Sequence, residues 1–480
     1  MTTAESAGGE AEGLPPTEKQ MLGQPVGLWY LVFAEAWERF SYYGMQALLA
    51  LYLSKYLLLP GHIEHVLGFG VFKGALEGMY GPLATPLAIG GALAGVYSAV
   101  VYLTPIAGGF IADRFLGRTV TVTIGALLMV LGHFLMAFEA SFVFAILCLF
   151  AGIGCFKGNI ASQVGELYGP NDPRRGSAYQ TFLLGVQIAV IIAPLVCGFL
   201  AEEIAWHWGF GAAGIGMTIA LVVYLSGRKY LPPDRMRVAS GEKKGAAPLT
   251  ARDWKTIGVL ILLLPLLALT ALGNQEIFAA YLLWGDQHFQ LTFFGFKIPT
   301  SSLVSLDAFI STFTMAGVLM FWRWYGTKWK EPDEIFKVVI GALISCAAPL
   351  MLAFASAQAA ITGERVSLAW GFGFHIINDV GFAMVFPIGL ALFSRVSPKG
   401  ITGVVIGVYY LHLFLCGLAT GKLASMLGTM SGFSFWLMHA ALIAGGGLAM
   451  LVFAFVFRGI LAPTDAVEGE SGEPQAAPAG

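Results

Sequence analysis

The chain has 480 residues; 57% are apolar and only 12% are charged, about half the charged share of an ordinary soluble protein. Its net charge of −2 gives no electrostatic hold on nucleic acid. A soluble multidomain enzyme and a nucleic-acid binder are both excluded, which leaves a polytopic all-α membrane protein.

In chain order, residues 1–26 are small, polar and partly acidic, without the basic-then-apolar pattern of a signal peptide, and read as a disordered cytoplasmic tail. Apolar runs follow at 27–57, 86–114, 118–138, 141–168, 176–200 and 206–227, then at 254–285, 301–325, 335–356, 366–394, 401–427 and 433–458. Each reaches or exceeds the roughly 20 residues that cross a hydrocarbon core of about 30 Å. These twelve helices fall six and six around a basic, proline-containing stretch. The expected organisation is an N-terminal half at 27–227, a cytoplasmic linker at 228–253, a C-terminal half at 254–458 and a second disordered cytoplasmic tail at 459–480.

Lysine and arginine placement orients the helices. With the N-terminus inside, twenty of the 27 basic residues fall on inner segments and the linker, against four in or beside outer loops. Both termini are therefore expected in the cytoplasm, and the bilayer is expected to be the cell inner membrane.

Ionisable residues inside spans are costly unless paired or wetted, so they mark candidate sites. The densest set is on the first helix, where Glu35, Glu38, Arg39, Tyr42 and Gln46 share one face and Glu35 can pair with Arg39 at i,i+4. One guanidinium cannot neutralise two carboxylates, so one acid is expected to hold and exchange a proton. The competing reading is a static ion-pair cluster that joins helices. Lys157 lies mid-span in the fourth helix, too central to snorkel, and can hold a substrate carboxylate. Glu276, Asp307 and Asp379 are the in-span acids of the second half, with hydrogen-bonded structure and substrate contact both open to them. His375 and His412 lie in helices as cavity or packing residues. Asp113, in the Gly108–Arg118 segment between the second and third spans, can cap or pair across a gate.

No nucleophile–base constellation accompanies these residues, so catalysis, a cofactor and a metal site are not expected. His62 and His65 form an HxxH in an outer loop with little beside it. Cys148, Cys155, Cys197, Cys346 and Cys416 have no CxxC spacing and read as packing residues.

The run Glu35-Ala36-Trp37-Glu38-Arg39-Phe40-Ser41-Tyr42-Tyr43-Gly44 matches in full the E-x-x-E-R-F-x-Y-Y-G signature of proton-dependent oligopeptide transporters. The chain resembles that family of the major facilitator superfamily through its whole first half. The resemblance continues in Tyr102-Leu103-Thr104-Pro105, the Gly109–Arg118 loop with Gly109, Asp113, Arg114, Gly117 and Arg118, Phe156-Lys157-Gly158-Asn159, Arg175–Gln180 and Ile192–Gly198. It implies a twelve-helix major facilitator fold and a proton-coupled symporter of di- or tripeptides or peptide-like compounds. Glu35, Glu38, Arg39 and Lys157 would couple the proton; Tyr42, Tyr43, Tyr102 and Lys157 would line the cavity. The implied partners are a small peptide-like substrate, protons and the bilayer; the oligomeric state is open, a monomer being compatible with this reading.

The second half resembles the family only loosely, and both halves depart from its pattern at substrate positions. Gln46 stands where an arginine is common, and Gln187 stands in place of a substrate-binding asparagine. Asp307 corresponds to an asparagine, and Phe382 to the glutamate that receives a peptide's amino end. A buried, unpaired ammonium is costly. Glu276 or Asp307 would then receive it, or the cargo is another small organic anion or amino-acid derivative. A non-transporting membrane sensor or enzyme on the same scaffold is the remaining alternative.

Overall fold

The computed structural model describes residues 19–169, 172–234, 249–398 and 401–461. The expected tails before 19 and after 461, most of the linker, and the inner basic residues Arg235, Arg237, Lys243, Lys244 and Lys399 lie outside the described residues.

Among the described residues, eleven helices are long and apolar enough to span a membrane. The helix α1, Val26–Tyr52, prolonged by a turn at Leu53–Leu57, makes twelve; its charges and tyrosines lower its hydropathy, and they are the site described below. The others are α2 Pro86–Leu116, α3 Arg118–Leu135, α4 Glu139–Glu166, α5 Arg174–Ile204, α6 Trp206–Tyr230, α7 Ala251–Thr270, α8 Ser302–Gly326, α9 Glu334–Thr362, α10 Ala369–Val396, α11 Thr402–Ala424 and α12 Gly432–Val456. Helix starts follow local chemistry. Thr85 accepts from the Ala88 amide with Pro86 in the first turn, and Thr250 and Asp253 form a reciprocal capping box before α7.

Two features depart from the expected spans. The seventh span is broken: α7 is followed by Leu272–Glu276 and Ala280–His288. The Glu276 carboxylate accepts from the Ala280 amide at 3.2 Å, meeting a donor that the break exposes. Residues 20–25 form a small hairpin, Gln20–Met21 with Gln24–Pro25, instead of a loose tail. Tyr168 donates to Gln24 at 2.6 Å and fastens it. A short helix, Phe69–Tyr80, also lies between α1 and α2.

Helices approach closely where glycine removes the side chain. A Cβ on Gly95 of α2 would strike the Gly421 backbone of α11, and one on Gly417 would meet the Ala99 amide at 2.6 Å. The α2–α11 crossing is thus one seam between the halves, and α5 against α8 is another. Many of the polar links between the halves lie away from the side bearing the ordered chain ends. Lys55 pairs with Asp286 at 2.7 Å, and Glu202 accepts from the Thr300 and Ser301 amides at 2.9 Å. Lys422 donates to the Tyr80 carbonyl, and Lys297 stands 3.4 Å from Glu203.

Candidate functional site

The first-helix cluster forms as its spacing implied. Arg39 Nε lies 2.8 Å from Glu35 Oε1 and 2.9 Å from Glu38 Oε2, and all three side chains are buried. Helices α5 and α6 pack along α1 and keep water from it. The second Glu35 oxygen and Arg39 Nη2 have no hydrogen-bond partner. One cation therefore holds two carboxylates that retain unused acceptor capacity, the arrangement that takes up a proton.

Lys157 reaches the cluster from α4. Its Nζ lies 4.8 Å from the Tyr102 ring centre and 5.8 Å from that of Tyr42, and Arg39 lies 5.5 Å from the Tyr42 ring. Glu38, Glu35 and Arg39 are all within its electrostatic reach. Tyr42 stacks on Tyr97 at 5.9 Å, while Tyr43 faces Phe278 of the second half at 6.1 Å. Glu35, Glu38, Arg39, Tyr42, Tyr43, Tyr102 and Lys157 thus come together at the boundary between the halves.

The remaining candidates are dispersed. Gln46 donates to Ser98 Oγ at 3.1 Å and ties α1 to α2. Gln187 donates to the Ala308 carbonyl at 3.1 Å and Thr312 Oγ1 at 2.7 Å, linking α5 to α8. Glu276 is fully buried against His439 of α12, Oε1 to Nε2 at 3.1 Å. His439 Nδ1 donates to the Phe435 carbonyl at 2.8 Å, so the Glu276 contact needs a proton between its two atoms. Asp307 meets His375 Nδ1 at 2.9 Å beside Asp379. Phe382 stacks on Phe386 at 5.4 Å, so an aromatic surface stands where the family pattern carries a carboxylate.

In the loop motif, Asp113 lies 3.5 Å from Arg118, which also pairs with Glu166 at the end of α4. Arg114 rests over Phe110 at 5.5 Å. Gly117 adopts φ +77, and the Asp234 carboxylate beside it accepts from the Thr119 amide at 3.0 Å. Gly109 has open space where a Cβ would stand. The motif thus joins α2, α3, α4 and the linker start on one side of the first half.

Sequence reasoning missed His439 and Glu139, since neither has a local signal. The HxxH loop is not isolated: His62 Nδ1 lies 2.7 Å from Glu139, His65 Nδ1 lies 3.4 Å from it, and Tyr56 donates to it at 2.8 Å.

A profile of the major facilitator superfamily matches residues 40–421. The chain is 30% identical over 460 residues to a di-/tripeptide transporter of Lactococcus lactis subsp. lactis (strain IL1403), covering 90% of this chain and 83% of that one. The chain belongs to the peptide transporter (POT) family of the major facilitator superfamily. Among solved structures, peptide transporter POT in complex with sulfate superposes with a TM-score of 0.78 at 21% identity, covering 93% of this chain and 98% of the other. A POT family transporter in complex with 5-aminolevulinic acid gives 0.76 at 20% identity, covering 92% and 98%. The polytopic all-α fold read from the hydropathy is that of the family, and the first-helix signature named the family correctly.

Proposed function

We propose that the chain is a proton-coupled symporter of di- and tripeptides or peptide-like compounds, working by alternating access. The observation that carries this reading is the buried Glu35–Glu38–Arg39 cluster with Lys157 beside it. With the acids ionised, Lys157 is one of two cations shared with two carboxylates. A proton on Glu38 leaves Arg39 matched by Glu35 and leaves Lys157 without a counter-charge. A cargo carboxylate then supplies that charge, so proton and cargo bind together because each improves the site for the other. Tyr42, Tyr43 and Tyr102 offer ring faces and hydroxyls to hold the cargo between the halves.

The inter-half links at Lys55–Asp286, Glu202–Thr300 and the Gly95–Gly421 crossing support a state closed on the side away from the chain ends. The bias of basic residues supports placing those ends in the cytoplasm and the protein in the inner membrane. No cofactor, metal or enzymatic step enters this reading, and a monomer contains the complete site.

A second cargo class, small organic anions or amino-acid derivatives, is favoured by one observation: Phe382 and Phe386 present stacked rings where an ammonium-binding carboxylate would stand. The related structure with 5-aminolevulinic acid supports that breadth. Reconstituted protein given an inward proton gradient should accumulate labelled dialanine. Gradient-driven uptake of another anion, with no dialanine uptake, would favour the second class. Dialanine uptake indifferent to the gradient would overturn the coupling.

A further inference from the structure

A second buried acid cluster lies in the other half, away from Glu35–Glu38–Arg39. Asp307 of α8 and His375 and Asp379 of α10 place their ligand-type atoms within 4.8 Å of one another. His375 and Asp379 are one turn apart on the same helix face, and α8 packs Asp307 against them. His375 is wholly buried, Asp379 is 3% exposed and Asp307 is 8% exposed.

The hydrogen bonds count the protons. His375 Nδ1 and Asp307 Oδ1 share a hydrogen bond at 2.9 Å, and Asn378 Nδ2 donates to Asp379 Oδ1 at 3.2 Å. Asp379 Oδ2 and His375 Nε2 are buried without any partner. A carboxyl oxygen of Asp307 and one of Asp379 lie within 4.8 Å of each other in this buried pocket. Two negative charges so close and so poorly solvated disfavour both being ionised, so one of the pair holds a proton. The titratable neighbours add no compensating charge: Tyr281 of the seventh span lies edge-on to His375 at 4.9 Å, and Tyr43 of α1 is within electrostatic range of Asp307. Among the described residues, neither aspartate makes an ion pair with a lysine or arginine.

We infer that Asp307, His375 and Asp379 form a second proton-carrying site, which binds and releases a proton during the transport cycle. Asp307 is the entry point, because its side chain is the most exposed of the three, at 11%. The proton is shared by the two carboxyls. His375 steadies the ionised partner, and its unpartnered Nε2 offers a second place for a proton when the cluster loads. This site rests on the proton-coupled reading for its role in transport, but its occupancy does not depend on that reading.

The experiment therefore has two arms, both on full-length protein in liposomes. In infrared spectra at neutral pH, the protonated-carboxyl band should lose one carboxyl in Asp307→Asn and in Asp379→Asn. The control Asp286→Asn should leave it intact. An unchanged band in both cluster variants would overturn the inference. So would stabilisation by Mn²⁺ or Zn²⁺ in wild type that disappears in His375→Gln, which would make the cluster a metal site. In the transport arm, Asp379→Asn should move one proton fewer per dialanine while still accumulating it. Wild-type stoichiometry in that variant would overturn the inference. A failure of wild type itself to use the gradient would sink the proposed function, leaving the infrared arm to decide occupancy.

Discussion

The cluster on α1 shows how much chemistry two turns of helix can specify. Glu35 and Arg39 pair because i and i+4 side chains stand one above the other, and this was legible without a structure. Lys157 was legible as a mid-span cation, but its seat over Tyr102 and Tyr42 depends on α4 meeting α1 and α2. Glu276 was legible only as an acid in an apolar run. Its partner His439 is 163 residues away, a distance at which no sequence periodicity operates. Lys157→Gln should weaken the apparent affinity for dialanine tenfold or more. A hydrogen bond to a charged group contributes about 1.5–3 kcal/mol, and about 1.4 kcal/mol is tenfold. Concentration-dependent uptake checks this; unchanged affinity would remove Lys157 from the cargo site.

Twelve spans could be read because a hydrocarbon solvent demands long apolar helices. Most of their ends fall within four residues of the helices in the structure, although α9 runs on past the expected 356 to Thr362, and the break in the seventh span was not visible. It is held by a tertiary contact, the Glu276 carboxylate on the Ala280 amide, which propensity does not encode. At the α2–α11 crossing, Gly95→Leu should force the helices apart and abolish uptake while leaving the protein folded and inserted. Normal uptake by this variant would show that the crossing need not close. At the short turn Glu139–Ser141 that opens α4, outside its long helix from Phe142, partial burial tends to raise the Glu139 carboxyl, but hydrogen bonds from Tyr56 and His62 and the charge on His62 hold it below its ordinary 4.5. A depressed carboxylate stabilises the fold above its unfolded value, and that contribution disappears as pH falls through the lower folded value. Wild type should therefore melt above Glu139→Gln at neutral pH, with the gap closing as pH falls below 4.5. A gap independent of pH would contradict this assignment.

At the scale of the molecule, both halves are needed to complete the site, and their exposed links decide which side is closed. Lys55 and Asp286 are 36% and 22% exposed, so their pair is screened and contributes at most about 1 kcal/mol. Lys55→Ala should therefore shift the closed state by no more than about fivefold. A cysteine placed at Leu87, which lines the same crevice, should label faster in that variant. Equal rates would mean that the pair does not hold this side. The family was legible from one ten-residue run. The cargo was less so, because Gln187, Asp307 and Phe382 depart from the family pattern at positions where substrate contacts depend on packing between α5 of one half and α8 and α10 of the other. With Glu38 proposed as the carrier of the coupling proton, Glu38→Gln in proteoliposomes should lose gradient-driven dialanine accumulation and retain counterflow exchange of dialanine at equal pH. Full gradient-driven accumulation by Glu38→Gln would contradict that assignment.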